Sequence, residues 1–288
     1  MIAIQNDELK ALINFRGAEL TSLVKKSSNR EYIWQADPKH WARHAPVLFP
    51  IVGRLKNDEF LYEGSRYSLT QHGFARDLEF ACVEEKSNEA TFKLSSNRET
   101  RLAYPFKFNL FIRYKLNSNR LEVHYEVENK DPHDLYFSIG GHPAFNCPLR
   151  AGEKRSDYTL VFGDIENLET QVLKEGIRSG ETRNILKNSR ELEISDMLFD
   201  NDALIFSQLK SNEITLQKGG EKFLTVHFDG FPYLGIWSKN RNAPFVCIEP
   251  WYGIADRENH DYEFSKKEGV IPLESKAKFF AKFELEIH

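Results

Sequence analysis

Leu121-Glu122-Val123-His124-Tyr125-Glu126-Val127-Glu128 is the stretch that decides the fold class. Apolar Leu121, Val123, Tyr125 and Val127 alternate with polar Glu122, His124, Glu126 and Glu128. Successive side chains of a strand point to opposite faces, so this period of two predicts a strand with one buried and one wet face. The period recurs downstream, where Leu224, Val226 and Phe228 alternate with Thr225 and His227, and Ala281, Phe283, Leu285 and Ile287 alternate with Lys282, Glu284 and Glu286. Upstream, residues 90–94 and 108–114 are rich in aromatic and β-branched side chains and read as extended. Turn signals at Asn117-Ser118-Asn119, Asn129-Lys130-Asp131-Pro132, Lys218-Gly219-Gly220 and Asp229-Gly230 separate the runs. Lys218-Gly219-Gly220-Glu221 joins two such runs and predicts a hairpin. Short helical turns are predicted only over residues 96–103 and 164–175. Many short strands between regular turns predict an all-β chain, a large antiparallel β-sandwich. No glycine- or proline-rich linker interrupts it, so residues 1–288 are expected to form one domain.

Composition narrows the function. With 41% hydrophobic and 28% charged residues, the 288-residue chain has the makings of a globular protein with a sizeable core and no need of disulfides. Lys and Arg total 39 against 43 Asp and Glu, and the net charge of −4 argues against general nucleic-acid binding. No long basic run suggests a membrane surface, which leaves a small-molecule partner. Cys82, Cys147 and Cys247 are odd in number and far apart, with no CxxC pair. They signal neither a disulfide framework nor a thiolate metal site, and a reducing, cytoplasmic location is the simplest expectation. The start, residues 1–8, turns polar within a few residues and lacks a basic segment, unlike a signal peptide. The longest apolar stretch, residues 45–53, contains Pro46 and Pro50 and is too short to span a bilayer.

Four segments combine titratable side chains with stiff backbone. In Ser138-Ile139-Gly140-Gly141-His142-Pro143-Ala144-Phe145, two glycines are expected to permit a sharp or left-handed turn, and the proline fixes φ. His142 at the end of a strand is either a structural cap or a proton-transfer group. Glu249 ends the apolar run Phe245-Val246-Cys247-Ile248 and precedes Pro250 and Trp251. It is either salt-bridged at a strand end or a desolvated carboxylate with raised pKa at the mouth of an apolar site. His72 precedes Gly73, which lets a backbone or a substrate approach closely; the alternative is a turn histidine. Arg54 and Arg76 are surface ion-pair residues or bidentate donors to hydroxyls or phosphate. Asp202 either caps a turn or meets a ligand. Trp251, Tyr252 and Trp237 offer apolar faces, with core packing expected of at least one. His227 is a candidate to line a groove, His124 is expected to face water, and His40 and His44 flank Trp41 in an expected loop. HExxH, GxSxG and P-loop patterns are absent from the sequence, and the histidines lack metal-ligand spacing, so no metal is expected.

Residues 48–54 (LFPIVGR), 72–77 (HGFARD), 140–145 (GGHPAF) and 247–253 (CIEPWYG) together resemble the aldose 1-epimerase, or galactose mutarotase, family, over essentially the whole chain. The resemblance implies a galactose mutarotase-like β-sandwich with a sugar cleft on one sheet face. It implies Glu249 as general base at the anomeric hydroxyl, His142 as general acid at the ring oxygen, and His72 as a second histidine near that oxygen. Arg54 matches a substrate-binding arginine and Asp202 an aspartate that bonds a sugar hydroxyl; Arg76 and Trp251 join the substrate-binding set. No cofactor is implied. An ionised glutamate beside a protonated histidine is expected, each charge favouring the other. The HGFAR segment also resembles the hexose-6-phosphate branch, where arginines contact phosphate, and Arg43, Arg54 and Arg76 are available here. The substrate is therefore an aldose or a sugar phosphate, with a non-catalytic sugar-binding protein as the alternative. Monomer and homodimer both remain open.

Overall fold

The computed structural model describes residues 1–288 and consists mainly of antiparallel strands in two large facing sheets. The opening stretch lies in the strand Arg120–Asn129, at the centre of a nine-stranded sheet. Its neighbours are Phe108–Asn117 on one side and Lys278–Ile287 on the other. The register explains the alternation. Leu110 faces Val127, Ile112 faces Tyr125, and Val123 faces Phe283, all on the buried side. Arg113 faces His124, Lys115 faces Glu122, and Glu122 faces Glu284 on the wet side. A one-residue slip would turn every one of these apolar side chains to water, so the pattern itself fixes the register. The hairpin expected around Gly219-Gly220 joins Glu213–Lys218 to Glu221–His227 in the same sheet.

The second sheet has six strands, ordered Leu204–Ser207, Tyr233–Trp237, Phe245–Tyr252, Ile139–Gly141 and Val47–Leu48, with Ala144–Asn146 also paired to Phe245–Tyr252. It presents Val47, Leu204, Phe206, Leu234, Ile236, Val246 and Ile248 to the core shared with the larger sheet. Gly141 shows how close the two layers lie: a Cβ there would come within 2.9 Å of the Tyr125 hydroxyl and 3.1 Å of the Phe283 ring. A cluster of 63 buried residues runs from Ile4 to Ile287. A four-stranded sheet, Ile2–Gln5, Leu9–Ile13, Leu20–Lys25 and Arg30–Glu31, adds to it.

The expected helical turn at 96–103 is the helix Arg98–Ala103, capped reciprocally by Asn97 and Thr100. The one expected at 164–175 is not a helix. Those residues belong to the long strand Thr159–Lys174, which pairs with Ile177–Glu193. Register shifts at four places break its alternation, and the buried Glu166 interrupts its apolar positions. A bulge changes the phase of a strand pattern, and that phase change imitates a helical period. The Glu166 carboxylate is held by the N–H groups of Lys210 and Ser211 and by the Ser211 hydroxyl, at 2.7–2.9 Å.

Candidate active site

The outward face of the six-stranded sheet forms the floor of a cleft of about 480 Å³. Strand alternation decides what stands there. Val246, Ile248 and Tyr252 point to the core side of Phe245–Tyr252, and Cys247, Glu249 and Trp251 to the other. Tyr252 therefore packs against Phe231 and Phe279, with ring centroids 4.7 and 5.1 Å away, and is not a sugar-facing residue.

His142 enters through an interruption in the neighbouring strand. Phe245–Tyr252 pairs first with Ala144–Asn146 and then with Ile139–Gly141, and His142-Pro143 spans the gap between them. The Ile248 N–H reaches the Pro143 carbonyl at 3.3 Å. Two residues on, Pro250 faces the same side and has no N–H to leave orphaned by the interruption. The two glycines before His142 do something other than expected. Gly140 and Gly141 lie in a strand and neither has positive φ. What they supply is space, since a Cβ on Gly140 would lie 2.6 Å from Cδ1 of Trp251. Gly73 does have positive φ, at 70°, and its missing Cβ admits the Phe49 carbonyl oxygen, 2.3 Å from where the Cβ would stand.

His142 Nε2 stands 3.2 Å from Glu249 Oε2, and both side chains are almost fully buried. Trp41 stacks on the His142 ring at 4.8 Å between centroids, and Trp237 meets it edge-on at 5.6 Å. Burial acts against both charges. It raises Glu249 well above the usual carboxylate range, with help from the Asp202 charge, and lowers His142 to about 3. The mutual charge stabilisation expected from sequence is outweighed by the desolvation that burial imposes. Burial thus favours a pair of neutral carboxyl and neutral imidazole over the charged pair. The neutral pair differs from carboxylate and imidazolium by one proton moved between two atoms 3.2 Å apart.

His72, with φ of 69°, accepts the Gly53 N–H on Nδ1 at 3.1 Å. Burial, with the nearby His142, keeps it neutral, so its proton is on Nε2. The rings of His72 and His142 meet edge-on at 5.6 Å. Arg76 donates from Nη2 to the Gln71 carbonyl at 2.6 Å, while its buried Nε makes no hydrogen bond and lies 3.7 Å from Asp77 Oδ2. Arg54 is engaged already: Nε and Nη2 grip Asp58 at 2.8 and 2.9 Å, and Nη1 donates to the Glu175 carbonyl at 3.0 Å. Asp202, with φ of 75°, accepts its neighbour Ala203 N–H at 2.8 Å and lines the rim. Trp251 spans Gly140 and Gly235, where a Cβ would fall 2.5–2.6 Å from its indole.

The seven residues given catalytic or substrate-binding roles from sequence, Arg54, His72, Arg76, His142, Asp202, Glu249 and Trp251, line this one cleft together with Trp237, whereas Tyr252 and Arg43 do not. Sequence reasoning did not assign Trp41, Lys239 or the hairpin turn at Glu175-Gly176 to it. The other histidines lie elsewhere: His227 is bound between Glu213 and Glu286, and His124 pairs with Glu122, on the larger sheet.

The sequence model of the aldose 1-epimerase family matches residues 1–265. The chain belongs to the aldose 1-epimerase family. This isomerase family acts on sugars. Protein LacX (plasmid) of Lactococcus lactis subsp. lactis is 35% identical over 293 aligned residues, 97% of each chain. A galactose mutarotase related enzyme from Lactobacillus acidophilus is 39% identical, with a TM-score of 0.95 over 100% of this chain and 97% of that one. This epimerase thus has the galactose mutarotase-like fold. A Salmonella typhimurium protein bearing the name "Putative glucose-6-phosphate 1-epimerase" is 26% identical over 49% of each chain. No helix of the epimerase is long and apolar enough to cross a membrane.

Proposed function

We propose that this epimerase interconverts the α and β anomers of a free aldohexose in the cytoplasm, through one domain spanning residues 1–288. The observation that carries the reading is the pair Glu249 and His142, 3.2 Å apart on the floor of the cleft. Ring opening needs a base at O1 and an acid at O5, two oxygens on the same carbon, so acid and base must stand side by side. The carboxylate of Glu249 takes the O1 proton, the C1–O5 bond breaks, and the Nε2 proton of His142 passes to O5. The open-chain aldehyde rotates about C1–C2. His142 then takes the proton back from O5 as O5 attacks the other face of C1, and Glu249 returns its proton to O1. Positioned groups of this kind each contribute about 10²–10⁴-fold. Neutral His72 donates from Nε2 near the ring oxygen. Asp202 accepts from a sugar hydroxyl, Trp251 and Trp41 cover apolar ring faces, and Arg76 binds hydroxyls at the rim, as does Arg54 through the two N–H groups that Asp58 and Glu175 leave free.

A glycosidase would need two carboxyl groups about 5–9.5 Å apart across a scissile bond. Here the carboxylates besides Glu249 that line the cleft, Glu175 and Asp202, belong to its rim. A second reading, a hexose 6-phosphate as substrate, draws on Arg76, whose Nε makes no hydrogen bond, and on Lys239 in the cleft lining. Polarimetry of freshly dissolved α-galactose, α-glucose and glucose 6-phosphate tests both. Relaxation no faster than buffer for every sugar refutes anomer exchange. Acceleration confined to the phosphate, lost in Arg76→Ala, replaces the first reading by the second.

A further inference from the structure

Just beneath the floor of the cleft, fully buried, lies a third reactive side chain that the epimerase reaction does not use. Cys247 precedes Glu249 by two residues on the same strand, so its thiol is on the same face. The ligating atoms of His142, Cys247 and Glu249 all lie within 4.8 Å of one another, and all three residues are buried. Glu249 Oε2 has no hydrogen-bond partner although it is fully buried, and neither has His142 Nδ1. We infer that these three residues form a site for a thiophilic divalent cation such as zinc or cadmium, and that the ion blocks the reaction.

The donor set fits the chemistry. One imidazole nitrogen, one thiolate and one carboxylate oxygen suit a borderline-soft cation that prefers four ligands. Ligands about 2.0–2.3 Å from a tetrahedral ion stand about 3.4 Å from each other. His142 Nε2 and Glu249 Oε2 already stand 3.2 Å apart. The thiol has only to swing inward toward them. The fourth position opens on the cleft, because His142 and Glu249 both line it. Burial beside Glu249 keeps the Cys247 thiol protonated in the absence of metal, which makes it a poor nucleophile. Binding exchanges the Cys247 S–H proton and the Glu249 carboxyl proton for the ion and releases both to solvent. Cys82 and Cys147 are outside the cluster. The ion occupies the lone pair and the carboxylate that ring opening needs, so inhibition rests on the acid–base reading above, whereas binding does not.

The test is titration with cadmium, followed by the ultraviolet charge-transfer absorption of a cadmium–thiolate bond, in wild type and Cys247→Ala. Zinc inhibition of anomer exchange is measured beside it, with reversal by a chelator. The expected result is a band that saturates near one equivalent in wild type and is absent in Cys247→Ala. Zinc sensitivity should fall at least tenfold in that variant, with basal activity within about twofold. Cys247→Ser serves as the folded replacement if the alanine variant melts early. A band that survives in both variants, or equal zinc sensitivity of wild type and variant, overturns the inference. A Cys247-dependent band in a protein without anomer exchange keeps the cation site and removes the acid–base reading.

Discussion

Replacing Glu249 by glutamine should abolish activity and stabilise the fold in the same stroke. The side chain is 1% exposed, and its Oε2 has no hydrogen-bond partner. Burial raises its pKa well above 4.5, so the folded protein binds a proton there that the unfolded chain gives up. The sign follows: a group that holds its proton longer when folded loses stability as pH rises through the interval between its two pKa values. Each pH unit in that interval costs about 1.4 kcal/mol. Glutamine has the same shape and no such proton to lose, but leaves an amide donor imperfectly paired, worth about 1–3 kcal/mol. From pH 4.5 to 7 the lost proton amounts to at most about 3.4 kcal/mol, so the balance at pH 7 is a gain of at most about 2 kcal/mol, or about 3 °C in Tm for a chain of this size. Activity should fall by at least about 10²-fold, the low end for losing a positioned base. Calorimetric melts of both proteins at steps from pH 4.5 to 8, beside polarimetric rates, give the answer. Stabilisation should grow with pH above about 4.5. A variant that melts below wild type by the same margin at every pH, or one that keeps near-wild-type rates, would show that burial of this carboxylate is not what governs it.

Other outcomes follow from single contacts. Gly140→Ala places a Cβ 2.6 Å from the Trp251 indole and 3.0 Å from the Pro250 carbonyl oxygen, and should cost about 1–3 kcal/mol in denaturant titration. Trp41→Ala removes the ring stacked at 4.8 Å on His142; KM should rise about 5- to 30-fold, for a loss of about 1–2 kcal/mol, with kcat less affected. Lys267 and Asp256 form a pair 3.2 Å apart, each side chain 1% exposed, beneath the loop that brings Ala255 to the cleft. Lys267→Met should cost about 3–5 kcal/mol by leaving Asp256 unpaired. Adding Asp256→Asn should recover part of that loss in the same melts.

The larger sheet is legible in sequence because its outer face is wet. Glu122, His124 and Glu126 mark every second residue of the strand that Val123 and Tyr125 bury. The long hairpin at 159–193 is harder to read, since its bulges shift the phase and a buried glutamate occupies an apolar position. Within the site, His142, Glu249 and His72 are legible because stiff residues surround them, although the stiffness was misread at Gly140 and Gly141. Gly140 answers to the Trp251 ring 111 residues away, and Gly141 to Tyr125 and Phe283 of the facing sheet, steric demands that no local pattern records. Trp41 is hidden for a similar reason. Its loop approaches the cleft only once Val47–Leu48 has paired with Gly140-Gly141.

The interrupted strand opposite Pro250 separates what selection can change from what it cannot. Glu249 stands in a ladder, and His142 is held in the short gap between two ladder segments of the next strand with its N–H on the Pro46 carbonyl, so moving either would disturb the register of its neighbours and the core behind them. Asp202, Lys239 and the Glu175-Gly176 turn hang at ends of strands and can be exchanged at little structural cost. A lineage built on this scaffold is free to trade one sugar for another at the rim while the proton-transfer pair stays where the ladder puts it. Divergence of substrate and constancy of reaction would then have one origin, the difference between a side chain on a ladder and a side chain on a loop.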